Sequence, residues 1–319
     1  MSSVQVIGAG AWGTALALQA LRAGAGVRLW ARDPAKAAAM TQSRSNPHLP
    51  GVTLPDDLKV ESSWAPADIV LLAMPMQALR GLAPTLPEGL LVACCKGVEA
   101  GSHLLPLEVL AQIHAGRAAC VLTGPYFAGE VARGLPAAAV VAGADGAARA
   151  AVMAALGSPD FRLYGNEDAI GAQVGAAAKN VVAIAAGAVI GAGLGENARA
   201  ALVTRGLAEL ARLALALGGR AETVSGLSGL GDLLLTCTGP SSRNFSFGLA
   251  LGQGRGMAEI LAGRDSVTEG VATAPALVAR AHDVGVELPI AAAVAAVVQG
   301  QLSVAEAIRL LLSRPQRDE

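Results

Sequence analysis

Several groups of residues in this chain have the types and spacing to do chemistry. Lys179 is the only ionisable side chain in the run GAAAKNVVAIAAGAVIGAGLG, Gly175 to Gly195, where its neighbours are small or apolar apart from Asn180. Burial of an ammonium disfavours its charged form, which would suit Lys179 to take a proton from an alcohol and to return it to an alkoxide. A lysine near a helix start that reaches water along its own stem would account for the same residue. At helical spacing Gly175, Lys179, Val182, Ala183, Ala186 and Gly187 fall on one face, a surface where something bulky such as a ligand can approach the backbone.

The second group is GAGAWG, with Gly8, Gly10 and Gly13 in the GxGxxG spacing. The first glycine permits a tight turn, the second lets the backbone approach a pyrophosphate, and the third lets helix and strand pack closely where the anion would sit. The motif means little alone, but VQVI reads as a strand before it and TALALQALRAG as a helix after it, with VRLW as the next strand. That context points to a dinucleotide. Where an acidic residue would hold the adenosine ribose, the chain reads Arg32 and then Asp33. Arg32 can meet a 2'-phosphate, favouring NADP, while Asp33 suits the cap of a following helix, so that NAD and NADP both remain open. Lys96 and Gly97 follow the apolar run LLVACC, at the strand end where doubly wound sheets bind ligands. Gly239, Pro240, Ser241 and Ser242 make a turn that opens a helix beside Arg243, a pairing suited to phosphate, although serines there also serve simply as caps.

These groups need a scaffold that alternates strand and helix and then stops doing so. VQVI, VRLW, DIVLLAM, LLVACC and ACVLTG predict five strands with crossovers, AAAVVAG and FRLY add short ones, and from Asp168 onward only helical patterns follow. The expected architecture is an α/β Rossmann-like, doubly wound N-terminal domain over residues 1–167, then an all-α substrate-binding and catalytic domain over residues 168–319, with the active site between them. At 319 residues and 53% hydrophobic content the chain can build two such cores. With 3% aromatic residues and a formal net charge of -1 it lacks the basic surface and stacking side chains of a nucleic-acid binder. Cys94, Cys95, Cys120 and Cys237 match no CxxC pair or zinc-ligand spacing, so reduced core thiols and no metal are expected. The apolar run from Val181 to Gly195 falls short of the roughly 18 residues of a membrane span, so a buried helix is expected there. No export segment precedes VQVI, which predicts a cytoplasmic protein. A homodimer is among the assemblies left open.

GAGAWGTALA, CCKG, GPYFAGEVARGLP, AAAKNVVAIAAG, NARAALVTRGLAE, GLSGLGDLLLTC and SSRNFSFG, in this order over almost the whole chain, are similar to the bacterial-type NAD(P)-dependent glycerol-3-phosphate dehydrogenases. The resemblance implies interconversion of sn-glycerol 3-phosphate and dihydroxyacetone phosphate by hydride transfer, supplying glycerol 3-phosphate for phospholipid synthesis. It implies Lys179 as proton acceptor, and Trp12 and Arg32 as cofactor contacts alongside the three glycines. Lys96 resembles a residue touching both substrate and cofactor, Gly124 a substrate contact and Ala128 a cofactor contact. Asp232, Ser242, Arg243 and Asn244 resemble the substrate group, Arg243 lying also near the cofactor, and Val267 and Glu269 resemble further cofactor contacts. Asp232 is expected to orient the lysine or the substrate hydroxyls, while a cap of the DLLLTC helix would equally account for Asp232 and a solvated carboxylate for Glu269. One position departs: similar proteins have serine or threonine between the proline and phenylalanine of the GPYF loop, and here Tyr126 stands there as the candidate substrate contact. A dehydrogenase of 3-hydroxy acids with the same architecture, and a cofactor-sensing protein without catalysis, are the rival readings.

Overall fold

The computed structural model describes residues 1–263 and 268–315. They form two compact units, one of Met1–Lys96 with Pro106–Ala172, the other of Gly97–Leu105 with Gln173–Glu319.

The first unit carries an eight-stranded sheet in the order β3-β2-β1-β4-β5-β6-β7-β8. Its strands are β1 (Ser3–Ile7), β2 (Gly26–Trp30), β3 (Lys59–Glu61), β4 (Ile69–Leu72), β5 (Leu90–Ala93), β6 (Ala119–Thr123), β7 (Ala137–Ala142) and β8 (Phe161–Asn166). Val6 of β1 lies opposite Leu29 of β2 and Leu71 of β4. All four residues of β4 are buried, as are four of the five in β6, because strands inside the sheet are covered on both faces and must be apolar throughout. The expected doubly wound sheet is present, with two additions. The short edge strand β3 carries Lys59 and Glu61 around a single buried valine, a composition without an apolar run to betray it, so the third predicted strand is in fact β4. At the other side β7 pairs antiparallel with β6 and parallel with β8. The chain order of strands reverses at β1 and β4, the switch point where such sheets leave a crevice for ligands.

The second unit is helical among its described residues. Its central helix, Ala169–Gly191, is longer than the predicted apolar run because it begins well before Lys179. By length and composition it is able to cross a membrane, yet 83% of its most apolar window is buried within the protein, as in a core helix. Its glycines meet protein rather than ligand. A Cβ on Gly187 would lie 2.0 Å from Phe245 O, and one on Gly191 would lie 2.2 Å from Leu249 O, both in the helix Arg243–Gly252. The contact is reciprocal, since a Cβ on Gly248 would lie 1.9 Å from Ile184 O and one on Gly252 2.3 Å from Ala188 O. Two helices are thus packed backbone to backbone through glycines one turn apart on each. The open face expected beside Lys179 is in this part a helix seam, and at Gly175 it is closed by Ser228 and Gly229. A methyl group at Gly248 has to push the helices apart, so Gly248→Ala is expected to cost about 3 kcal/mol, at the upper end for overpacking. Thermal denaturation should show Tm lower by roughly 5 °C or more, and an unchanged Tm would mean that the seam yields freely.

Candidate active site

The glycine loop joins β1 to the helix Ala11–Arg22. Gly8 has φ +115 and a Cβ there would lie 2.7 Å from Ala73 O, so only glycine makes this turn without strain. A Cβ on Gly13 would lie 1.8 Å from Gly8 O, which is the close packing of helix on loop. Gly10 faces open space, with nothing within 4 Å of its virtual Cβ, and as the N-cap it offers no side chain to the first turn. An unobstructed backbone and an uncapped helix start fit the pyrophosphate of a dinucleotide.

After β2, Asp33 Oδ1 accepts from Ala35 N at 2.9 Å and so caps the helix Pro34–Ser43. Its neighbour Arg32 is exposed at the strand end. Lys96, half-buried three residues past β5, donates from Nζ to Gly124 O at 3.2 Å and sits 4.4 Å from the centroid of the Tyr126 ring. Gly124 has φ +149, and a Cβ would lie 2.9 Å from Ala139 Cα. Tyr126 turns its hydroxyl inward, donating to Leu122 O at 3.2 Å, and stacks its ring on Trp12 with centroids 4.1 Å apart. Ala128 is the first residue of the short helix Ala128–Ala132.

In the second unit Lys179 lies in the middle of its helix, 8% exposed, where no route along a helix end leads its stem to water. Its Nζ donates to Asp232 Oδ1 at 2.5 Å and to Thr236 Oγ1 at 3.0 Å. Asp232 is fully buried and opens the helix Asp232–Cys237, but its carboxylate turns to the lysine instead of capping. A one-turn π-helical segment, Leu227–Gly231, leads into it. The buried ammonium is therefore compensated by a buried carboxylate. Next to Thr236, burial pushes the Cys237 thiol up to about 12, and it pushes Cys120 to about 11 and raises Cys94, so these thiols are inert core groups. Asn244 Nδ2 donates to Asn180 Oδ1 at 2.9 Å, and Asn244 Oδ1 accepts from Gly270 N at 3.0 Å. One side chain thus ties the residue after Lys179 to the helix Glu269–Asp283, whose first residue is Glu269. Ser242 caps the helix Arg243–Gly252 by accepting from Phe245 N at 3.2 Å, and Arg243 is exposed at the first position of that helix. Val267 lies outside the described residues.

Within the first unit the structure brings together Trp12, Lys96, Gly124 and Tyr126. In the second it brings together Lys179 with Asp232, and Asn180 with Asn244 and Gly270. Thr236 was not singled out from the sequence, although it lies four residues after Asp232, one helical turn on, and so had to share its face.

Two family descriptions match the chain, the NAD-dependent glycerol-3-phosphate dehydrogenase N-terminus over residues 3–149 and the C-terminus of the same family over residues 168–309. A glycerol-3-phosphate dehydrogenase [NAD(P)+] of Acidiphilium cryptum is 55% identical over 316 residues, covering 98% of this chain and 97% of that one. One of Gluconobacter oxydans is 51% identical, covering 99% and 98%. The crystal structure of a glycerol-3-phosphate dehydrogenase from Coxiella burnetii superposes with a TM-score of 0.93 at 35% identity, covering 98% of this chain and 99% of that one.

Proposed function

This chain belongs to the NAD-dependent glycerol-3-phosphate dehydrogenase family, and we propose that Lys179 moves the proton in its reaction. The reaction interconverts sn-glycerol 3-phosphate and dihydroxyacetone phosphate with NAD or NADP. The bound nicotinamide supplies or accepts the hydride at C2. Lys179 takes the C2 hydroxyl proton during oxidation and returns it to the developing alkoxide during reduction. The observation that carries this role is a count of positions on Nζ. Besides its bond to carbon Nζ has three tetrahedral positions, and Asp232 and Thr236 hold two of them, which leaves one for a substrate oxygen. That position is the lone pair of the amine that takes the proton in oxidation, or the third N–H of the ammonium that returns it in reduction. Asp232 compensates the charge that appears on Lys179 as it gains the proton, and Thr236 fixes its direction.

Arg243, at a helix start capped by Ser242, is the proposed holder of the substrate phosphate, with Asn244 keeping that helix tied to Asn180. Gly8, Gly10, Trp12, Gly13, Arg32, Ala128, Val267 and Glu269 are the proposed cofactor contacts. Lys96 serves both cofactor and substrate, beside Gly124. We place the enzyme in the cytoplasm, forming glycerol 3-phosphate for phospholipid synthesis, as a homodimer. For the dimer, the supporting feature is the helix Val304–Leu312, which buries only Ala307 and leaves Leu310 and Leu312 exposed.

The assay for this reading is oxidation of NADPH and of NADH with dihydroxyacetone phosphate, repeated on an Arg32 variant. Asp33 is committed to its helix cap, which leaves Arg32, exposed at the strand end, as the proposed partner of a 2'-phosphate. Arg32→Ala should raise KM for NADPH about tenfold, the loss of a charge-assisted bond, and change KM for NADH little. Equal changes for the two cofactors would make Arg32 ordinary surface.

A further inference from the structure

The ring of Tyr126 is held between two other side chains of the first unit. It lies nearly parallel to the Trp12 indole, with centroids 4.1 Å apart and planes 12° apart. The Lys96 ammonium lies 4.4 Å from the same ring's centroid. A six-membered ring has two faces, and an indole at stacking distance fills one of them, so Lys96 takes the other. The ring itself cannot turn. Its hydroxyl is bonded to Leu122 O of β6, its ring packs tilted against Phe161 of β8 with centroids 6.4 Å apart, and the residue is 9% exposed.

We propose that Tyr126 is a positioning residue, a fixed aromatic plate that sets Trp12 on the glycine loop and Lys96 past β5 in one geometry, and that it acts on substrate and cofactor through those two side chains. This rests on the reading that Trp12 contacts cofactor and that Lys96 contacts cofactor and substrate. The hydroxyl is spent on Leu122 O inside the sheet, and the two π faces are what meet Trp12 and Lys96. Stacking prevents the Trp12 indole from rotating away from the helix start. Its Nε1–H, buried and without a hydrogen-bond partner among the described residues, is thereby presented in a single direction. On the opposite face the negative quadrupole attracts the Lys96 ammonium, while Gly124 O accepts one of its hydrogens, so both attractions act on the direction of a long, flexible side chain.

The test compares Tyr126→Ser with Tyr126→Phe. Measurements are the Kd of NADPH and NADH by fluorescence titration, KM for dihydroxyacetone phosphate, kcat and Tm. Tyr126→Ser keeps a hydroxyl and removes the plate, and should raise both Kd and KM about tenfold, the combined loss of an aromatic stack and a cation–π contact. At saturation kcat should fall less than Kd and KM rise, since no reacting group has been removed. Tyr126→Phe keeps both faces and should recover most of what serine loses. If Tyr126→Ser does not fold, Tyr126→Leu retains the core volume without the π face and takes its place. A lowered Tm with unchanged Kd and KM would overturn the proposal in favour of plain core packing. A Tyr126→Phe variant as impaired as Tyr126→Ser would overturn it in favour of the hydroxyl. Trp12→Ala and Lys96→Ala separate the proposal from the reading beneath it. If these two leave Kd and KM unchanged, their assignment to cofactor and substrate has failed. If they weaken binding while the Tyr126 variants do not, only the positioning role has failed.

Discussion

Lys179→Ala is expected to lower kcat by about three to four orders of magnitude, the upper range for loss of a positioned acid or base, with NADPH and NADH binding nearly unchanged because the glycine loop is intact. The substitution has a second effect that must be separated from the first. Asp232 is fully buried, and removal of the Lys179 ammonium breaks a buried ion pair, which destabilises the fold by about 3–5 kcal/mol. A slow variant would then be open to a trivial explanation. Lys179→Ala combined with Asp232→Asn removes both charges together, so its Tm should recover towards that of the unmodified protein. Its turnover should not recover, because no group remains to carry the proton. Return of activity along with Tm would remove Lys179 from the chemistry, as would a single variant with near-normal kcat.

What could be read from the sequence was whatever depends on local pattern. The strand VQVI, the spacing of Gly8, Gly10 and Gly13 and the helix after them are contiguous, and the structure turns them into a tight loop, an open Cβ position and a close contact in that order. The buried strands β4, β5 and β6 announced themselves as apolar runs. Edge strand β3 did not, since a three-residue strand with two charged ends has neither an apolar run nor a useful period. The antiparallel turn of β7 is equally silent, because direction lies in the path of the connection and not in the residues of the strand. Around Lys179 the sequence identified the residue, and the resemblance set Asp232 to orient it, but the packing about them was missed. A small-residue face permits close approach by anything, and only the fold shows that a second helix fills it at Gly187 and Gly191. Asp232 is 53 residues from Lys179, so the pairing that decides the charge of the site is a tertiary contact with no local signal. Tyr126 shows the same limit from another side. The identity of the residue suggested a displaced hydroxyl, whereas its stacking on Trp12 and its bond to Leu122 make the ring the part that faces its neighbours.

Arg243→Lys should weaken dihydroxyacetone phosphate by about 1.5 to 3 kcal/mol, the range for a hydrogen bond to a charged group, which corresponds to roughly 10- to 150-fold in KM. The charge is unchanged by the substitution, so the loss measures geometry. A guanidinium at the first position of a helix offers a phosphate two parallel N–H donors in a rigid fork, in line with the positive end of the helix, and an ammonium on a flexible stem offers a point charge. Ser242 continues to cap Phe245 N in the variant, and the glycine seam further along the helix is untouched, so the helix itself stays in place. Unphosphorylated dihydroxyacetone provides the internal comparison, since it lacks the group that Arg243 is proposed to hold. Its slow turnover should change by less than about threefold in Arg243→Lys, well under the effect of a lost charged hydrogen bond. An equal loss for phosphorylated and unphosphorylated substrates, with the circular dichroism of the native fold, would place Arg243 at the cofactor instead of the phosphate. The two outcomes also differ in the cofactor arm: a phosphate-binding arginine leaves the Kd of NADPH unchanged, while an arginine that acts through the cofactor raises it alongside the KM.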